Sequence, residues 1–349
     1  MSPAPWPLHA WYVAAATEDV TDAPLARQIC GTRMVFFRGA EGLSALEDFC
    51  PHRGAPLSLG FVREGVLVCG YHGLAVGCTG KVAHMPGQRV GGFPPVRRFA
   101  VVERYGFIWV WPGAFDTADE TQMPALHWAD SAEWAYGGGY YHIACDYRLM
   151  IDNLMDLTHE TYVHAGSIGQ KEIDEAPVRT KIEGHEAITS RYMDNVTAPP
   201  FWQMALRAQG LPEDGPVDRW QVCRFSLPSH VMIEVGVAMG GEGGYDAPND
   251  RKASSVVVDF ITPETETSHH YFWGMARRFQ VQDAALTDRI REGQGKIFGE
   301  DLAMLEQQQR NLSTYPDRRL LLLNIDAGGA RSRQMIEKAI AAEREVAGV

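Results

Sequence analysis

The stretch CPHRGAPLSLGFVREGVLVCGYHG, residues 50–73, carries the pattern that defines the first part of this chain. It contains Cys50-x-His52, sixteen further residues, and then Cys69-x-x-His72. Two cysteines and two histidines are the ligand set of a Rieske [2Fe–2S] cluster, in which one iron takes both thiolates and the other takes both imidazoles. The pattern therefore predicts such a cluster near the N-terminus.

Two other interpretations of these four residues remain open. In a zinc site with two cysteines and two histidines, the cysteines usually pair with each other in sequence, and so do the histidines. Here each half contributes one of each, which favours the iron–sulfur cluster. The residues could also be structural cysteines near surface histidines. We expect the remaining cysteines to be small buried hydrophobic residues; they are Cys30, Cys78, Cys145 and Cys223.

A second metal-binding pattern lies in IDNLMDLTHETYVHAG, residues 151–166. Asp156 and His159 are three residues apart and would share a helix face. His164 follows His159 by five positions, which separates the two side chains by about 140° on a regular helix. Both can reach one metal only if the helix ends or bulges between them. The spacing also differs from the HExxH motif of zinc proteases.

Two histidines and one carboxylate form the facial triad of non-haem Fe(II) oxygenases, which leaves coordination positions open for dioxygen and water. A carboxylate from a distant segment must complete the set. We predict Asp301, in the stretch GEDLAMLEQQQ, with Glu300 and Glu306 as alternatives. The interpretation without a metal is a helix with two satisfied histidines.

Length and composition limit the function classes. A chain of 349 residues suggests about two domains. The net charge of −12 argues against broad nucleic-acid binding, which needs a basic surface, but it permits docking to a basic patch on a protein partner. We find neither a signal peptide nor an apolar run of the ~20 residues that a membrane span needs. We therefore expect a cytoplasmic protein without membrane association.

The order of predicted elements indicates an all-β domain followed by an α+β domain. Residues 10–110 contain short β-branched and aromatic runs separated by glycine and proline, and residues 112–123 look like a linker. Helices are predicted over Leu149–Val163, where Asp146 or Asp152 could cap, and over Glu300–Arg310 and Arg331–Glu345. Residues 240–250 are predicted to be a hairpin loop between strands.

Together, the CPH/CGYHG pair, NLMDLTHETYVH and GEDLAMLEQQQ resemble the Rieske non-haem iron oxygenases. The resemblance implies a Rieske domain over residues 1–115 and a helix-grip (START-like) α+β catalytic domain with an antiparallel sheet over residues 116–349. It also assigns roles by position: the cluster ligands would be Cys50, His52, Cys69 and His72, the iron ligands His159, His164 and Asp301, and Asp156 the carboxylate that links the two centres.

The same resemblance implies how the protein works with its partners. Members form ring-like homotrimers in which the cluster of one subunit feeds the iron of its neighbour. A separate reductase, with flavin and a [2Fe–2S] centre, supplies electrons from NAD(P)H. Several phrases are similar to members that use dioxygen to O-demethylate vanillate, giving protocatechuate and formaldehyde. We predict Arg207 and Arg224 as candidates for binding the substrate carboxylate.

Three alternative functions differ in what they require. A related oxygenase would act on another aromatic acid or methyl ether. A Rieske ferredoxin would need little more than the first domain and would lack His159 and His164. A zinc hydrolase would be colourless, whereas a Rieske protein is brown.

Overall fold

The computed structural model describes residues 5–165, 173 and 176–347. The chain divides into two compact units. The first is Met1–Ala125 with Thr262–Glu266 and Ala339–Val349, and the second is Leu126–Ile261 with Thr267–Lys338. The predicted boundary between residues 115 and 116 stays a prediction.

The first unit is built from two antiparallel sheets, as predicted for an all-β domain. The larger sheet has the strand order β1-β10-β9-β4-β3-β2 and the smaller one β5-β6-β7-β8. The strands are β1 (Tyr12–Ala16), β2 (Leu25–Ile29), β3 (Thr32–Gly39), β4 (Gly42–Glu47), β5 (Phe61–Arg63), β6 (Val66–Val68), β7 (Ala75–Val76), β8 (Val82–His84), β9 (Arg98–Arg104) and β10 (Phe107–Trp111).

Strand β3 contributes to two hydrophobic cores because alternate side chains of a strand point to opposite faces. Met34 and Phe36 belong to the core under the larger sheet. Val35 and Phe37 belong to a second core that also contains Cys50 and Cys69. Its other buried members are Leu46, Leu57, Leu67, Leu74, Val76 and Val96. The two cysteines of the CPH and CGYH motifs are therefore held in a packed apolar core.

The N-terminal segment of the first unit is bound by a residue from the end of the chain. The Glu343 carboxylate accepts hydrogen bonds from the backbone N–H groups of Leu8, at 2.9 Å, and His9, at 2.8 Å. The first unit is thus closed by residues that are separated by nearly the whole sequence.

The second unit contains a seven-stranded sheet and helices, as expected for an α+β domain. Its strand order is β11-β17-β16-β15-β14-β13-β12. The strands are β11 (Ala135–Ile143), β12 (Val178–Glu183), β13 (Glu186–Thr197), β14 (Pro216–Ser226), β15 (His230–Met239), β16 (Lys252–Thr265) and β17 (Ser268–Arg277). The helices are α1 (Tyr147–Leu154), α2 (Glu160–Val163), α3 (Pro200–Ala208), α4 (Ala284–Thr314) and α5 (Ala327–Ala347).

One face of this sheet is covered by helices, and we call it the helix-covered face. Tyr271 packs on Phe298 of α4, with ring centroids 5.3 Å apart, and its hydroxyl donates to Asp259 of β16. Antiparallel partners project to the same side of a sheet. The register therefore places Gln221, and Arg191 opposite it, on this face as well.

The predicted single helix Leu149–Val163 is wrong. It is two helices, α1 and α2, separated by residues 155–159. The Asp156 carboxylate accepts hydrogen bonds from the N–H and the hydroxyl of Thr158, both at 2.7 Å, and such local bonds compete with the helical ones. Asp146 caps α1 by accepting from the Arg148 N–H, whereas Asp152 lies inside the helix.

Other predicted elements are confirmed. Residues 240–250 connect β15 to β16, which pair as an antiparallel hairpin. The two late helices exist and are longer than expected, as α4 and α5. None of the helices in the described part of the chain has the combination of length and apolarity that a membrane crossing demands.

Candidate metal centres

The two motifs of the first unit form matched loops. In each loop, the cysteine N–H donates to the carbonyl five residues later, and the cysteine carbonyl accepts from the glycine four residues later. The bonds join Cys50 to Ala55, Gly54 to Cys50, Cys69 to Leu74 and Gly73 to Cys69, at 2.8–3.0 Å. Both glycines have positive φ, +71° and +76°, a conformation that favours glycine. The sequence thus builds the same turn twice.

The loops separate two kinds of donor. The thiols of Cys50 and Cys69 are buried, whereas His52 and His72 are exposed with ring centroids 4.6 Å apart. Burial raises the pKa of the Cys50 thiol, although the backbone N–H groups of His52 and Arg53 act in the opposite direction. A buried sulfur pair beside an exposed imidazole pair fits a Rieske cluster, whose two irons take different ligands.

A buried carboxylate braces the first of these loops. Asp48 is 4% exposed and accepts hydrogen bonds from the backbone N–H and the hydroxyl of Ser58, both at 2.7 Å. These bonds close the segment that contains Cys50 and His52. Sequence reasoning did not single out Asp48, although it lies two residues before Cys50.

In the second unit, three predicted ligands converge. The donor atoms of His159, His164 and Asp301 all lie within 4.8 Å of one another. The Asp301 Oδ1 atom is 3.6 Å from His159 Nε2 and 3.3 Å from His164 Nε2. His159 and His164 flank the four-residue helix α2, which ends at Val163 with His164 as its C-cap. The helix end therefore lets two histidines five residues apart face one point.

Polar side chains hold two of these three donors, Asp301 and His164, from outside. Asn153 donates to Asp301 Oδ1 at 3.0 Å, and His164 Nδ1 lies 2.7 Å from Glu300 Oε2. Burial lowers the pKa of His164, but Asp301 and Glu300 outweigh it and raise the pKa above its usual value. The surplus of negative charge and the mix of two imidazoles with a carboxylate fit a divalent iron.

The structure distinguishes between the three acidic residues considered on α4. Asp301 is the one whose carboxylate faces both histidines, and its side chain is almost fully buried. Glu300 contacts the outer nitrogen of His164, so it orients a ligand. Glu306 accepts instead from the Ala144 backbone N–H at 3.2 Å.

Asp156 lies between α1 and α2, next to His159. Its Oδ1 is bound by Thr158, and its Oδ2 lies 3.8 Å from His159 Nδ1. Burial acts to raise the pKa of this carboxyl, but His159 and the Thr158 donors hold it below its usual value. The side chain is 26% exposed, so it can be reached from outside the chain.

A buried ion pair anchors α2 to the sheet. Arg191 donates to Glu160 at 3.1 Å and to the Leu157 carbonyl at 2.7 Å. Gln221, its partner on β14, accepts from Arg191 and donates to Glu160 at 2.8 Å. Glu160 is adjacent to His159 in sequence, so this network fixes the helix that separates the two histidines. Nothing in the sequence pointed to Arg191 or Gln221, since each lies in a different strand, far from the motif.

We expect Arg191→Met to destabilise the second unit strongly. The substitution leaves Glu160 as an unpaired buried charge, which typically costs about 3–5 kcal/mol of unfolding free energy. Urea unfolding would measure the loss. The double variant Arg191→Met/Glu160→Gln removes that charge and should recover part of it.

A surface pair supplies the matched control. Lys181 and Glu183 are 63% and 62% exposed, 2.6 Å apart and in the same unit as Arg191. Because solvent screens such pairs, Lys181→Met should leave the unfolding free energy close to that of wild type. If Arg191→Met were as mild as Lys181→Met, the anchoring role of the network would be wrong.

Comparison with known proteins identifies the family. The Rieske [2Fe–2S] domain model matches residues 10–100, and the model of the vanillate O-demethylase oxygenase C-terminal domain matches residues 143–342. This chain belongs to the Rieske non-haem iron oxygenases. It is 68% identical to the vanillate O-demethylase oxygenase subunit of Pseudomonas sp. (strain HR199 / DSM 7063), over 98% of this chain and 97% of that protein.

More distant relatives agree with this membership. The oxygenase component of dicamba O-demethylase from Stenotrophomonas maltophilia is 35% identical over 95% of this chain and 96% of that protein. The crystal structure of dicamba monooxygenase bound to 3,6 dichlorosalicylic acid superposes with a TM-score of 0.87 at 33% identity, covering 96% of this chain and 98% of that one. The predicted fold class is therefore confirmed.

Family membership also confirms the predicted enzyme class and cofactors. The oxygenase is a Rieske-type monooxygenase with one Rieske [2Fe–2S] cluster and one mononuclear non-haem iron. As an oxygenase component, it receives electrons from a separate reductase. The zinc hydrolase and the simple ferredoxin are thereby excluded.

The two predicted substrate-binding arginines both form ion pairs with glutamates. Arg207 is exposed on α3 and forms an ion pair with Glu213. Arg224 forms ion pairs with Glu186 and Glu234, at 3.1 and 3.4 Å. Arg224 is three positions after Gln221 in β14, so its side chain points to the opposite side of the sheet.

Proposed function

We propose that this chain O-demethylates vanillate to protocatechuate and formaldehyde, using dioxygen and electrons from its reductase. The observation that carries the proposal is the 68% identity with a vanillate O-demethylase oxygenase subunit over 98% of the chain. The dicamba relative, at 35% identity, is named as an O-demethylase as well. Removal of a methyl group from an aromatic ether therefore fits both relatives.

Specific residues would hold the two cofactors. Cys50, His52, Cys69 and His72 would bind the cluster, and His159, His164 and Asp301 would bind the iron. The cluster would supply two electrons and the iron would supply dioxygen activation. One oxygen atom would hydroxylate the methoxy carbon, whose hemiacetal releases formaldehyde and protocatechuate, and the other would leave as water.

The remaining residues keep the iron ligands in place. Glu300 accepts from the outer nitrogen of His164, and Asn153 donates to Asp301, which together fix two of the three donors. The Arg191–Glu160–Gln221 network fixes the helix between the histidines. Asp156 would link His159 to a cluster histidine of a neighbouring subunit.

The partners follow from the same proposal. The reductase would carry flavin and a [2Fe–2S] centre, and the oxygenase would be a homotrimer in the cytoplasm. The net charge of −12 would favour a basic docking face on the reductase.

Anaerobic binding followed by turnover tests the function. The holoenzyme with a matching reductase should bind vanillate and convert it to equal amounts of protocatechuate and formaldehyde. His159→Ala, which lacks an iron ligand, serves as the inactive control. If the holoenzyme did not convert vanillate but turned over another methyl ether, that compound would be its substrate instead.

Arg207→Ala and Arg224→Ala should each leave the KM for vanillate within about twofold of wild type. Both arginines are neutralised by nearby glutamates, and Arg224 lies on the side of the sheet opposite Gln221. Steady-state kinetics of the two variants would check this. A tenfold rise in KM for either one would instead support its predicted role in binding the substrate carboxylate.

A further inference from the structure

A fully buried carboxyl in the second unit is only half satisfied by its surroundings. Asp259 of β16 is 0% exposed, and its Oδ1 accepts a hydrogen bond from the Tyr271 hydroxyl at 2.6 Å. Its Oδ2 has no hydrogen-bond partner among residues 5–165, 173 and 176–347. A buried polar atom without a partner is costly, which suggests that it has a ligand to bind.

The position of this carboxyl ties it to the iron site. The Tyr271 ring packs on Phe298, and Phe298 lies three residues before Asp301 on α4, so both project from the same side of that helix. Asp259 also shares the helix-covered face with Gln221, which contacts the helix between His159 and His164. The Asp301 carboxylate is close enough to act on the Asp259 charge.

Its protonation state suits a neutral partner. Burial raises the pKa of Asp259 to about 8, although the Tyr271 hydrogen bond opposes this. Near neutral pH the group is therefore mostly a carboxylic acid, which can both donate and accept. A neutral acid supplies a single donor and no positive charge, whereas a buried substrate carboxylate needs a cation or several donors.

The geometry of vanillate shows which substrate group lies nearest. The methoxy carbon must reach the iron. The ring hydroxyl is on the adjacent (ortho) carbon, whereas the carboxylate is meta to the methoxy group and projects further away. Of these two groups, the hydroxyl therefore lies nearer the iron site, and it can donate to or accept from a carboxyl group.

We propose that Asp259, oriented by Tyr271, hydrogen-bonds the substrate hydroxyl ortho to the methoxy group and so selects 4-hydroxy-3-methoxybenzoates. The inference rests on the proposed function and deepens it, because it names the substrate hydroxyl as the group that the site recognises. A site built to bind a hydroxyl strongly rejects the analogue that lacks it, since its own polar group is left unpaired.

Anaerobic dissociation constants for vanillate and 3-methoxybenzoate, which lacks only the hydroxyl, test this proposal. The wild-type holoenzyme should bind vanillate at least tenfold more tightly. Asp259→Val should weaken vanillate binding at least tenfold and leave 3-methoxybenzoate binding unchanged, so that the preference disappears. Asp259→Asn keeps an acceptor and donors and should retain most of the preference.

Two further variants keep the test decisive. If Asp259→Val does not fold because Tyr271 loses its acceptor, Asp259→Val/Tyr271→Phe removes the orphaned hydroxyl and should show the same loss of preference. Val258→Ala, a fully buried neighbour that points to the other side of β16, should affect both ligands equally.

The outcomes separate this inference from the proposed function. Equal weakening of both ligands in Asp259→Val and in Asp259→Val/Tyr271→Phe, or no weakening in either, would overturn the inference while leaving vanillate turnover by the wild type intact. Equal wild-type affinity for the two ligands would overturn it as well. Absence of vanillate binding and turnover in the wild type would overturn the proposed function itself, and the inference with it.

Discussion

Asp156→Asn should fold, retain both metals and still bind substrate, yet lose turnover by about 10–100-fold. The asparagine oxygen can keep both hydrogen bonds from Thr158, which occupy Oδ1 in the native protein. Its NH2 group would then face His159 Nδ1, where Oδ2 lies 3.8 Å away. If Nε2 of His159 binds iron, Nδ1 is a donor and finds no acceptor. The predicted link between the two centres would therefore be broken.

Single-turnover kinetics of pre-reduced protein would measure this effect directly. The cluster of Asp156→Asn should be reduced normally but should re-oxidise far more slowly than that of wild type in the presence of substrate and dioxygen. Asp194→Asn, which removes the same charge at an exposed position, should behave like wild type. Normal re-oxidation in Asp156→Asn would rule out the link.

His159→Ala should remove the mononuclear iron and all detectable turnover while leaving the visible and EPR signature of the cluster unchanged. The loss follows because His159 supplies one of only three convergent donors in the described site. The cluster should survive because its four predicted ligands lie on the loops of residues 50–55 and 69–74, which belong to the other compact unit. Cys50→Ser should instead abolish the visible and EPR signature of the cluster.

Metal analysis and EPR spectroscopy of the purified variants would provide the measurement. His185→Ala, which removes an exposed histidine, should keep both metals at wild-type levels and so controls for general effects of losing an imidazole. If His159→Ala bleached the cluster, the assignment of two separate sites would have to be abandoned.

Local patterns made much of the fold and part of the site predictable. The CPH and CGYHG motifs contain their own turns, because each glycine four residues after a cysteine takes the required positive φ. Because His159 and His164 are five residues apart, both can face one metal only if the helix ends between them or bulges. In the structure α2 ends at Val163, directly before His164. Asp301 was predicted from a distant segment, and the structure brings it to the two histidines.

Interactions between distant strands were not predictable in the same way. Arg191 and Gln221 contact each other because the register of β13 and β14 places them opposite one another, and no spacing in the sequence predicts that register. The break after α1 was missed because helix periodicity continues through it, whereas the Asp156 side chain ends the helix by a local hydrogen bond. Arg207 and Arg224 were chosen by segment, and neither exposure nor strand face can be read from a segment alone.

In both units, a contact between residues far apart in the sequence can form only after the later residue has been synthesised. The hydrogen bond between Asn153 and Asp301 can form only after 148 further residues have been synthesised. At usual elongation rates of about 5–20 residues per second, their synthesis takes roughly 7–30 s. The hydrogen bond from the Leu8 N–H to Glu343 requires 335 further residues. A nascent chain that has not yet reached residue 301 therefore lacks the carboxylate that faces the two histidines. The three donors of the candidate iron site can meet only once the chain extends to Asp301.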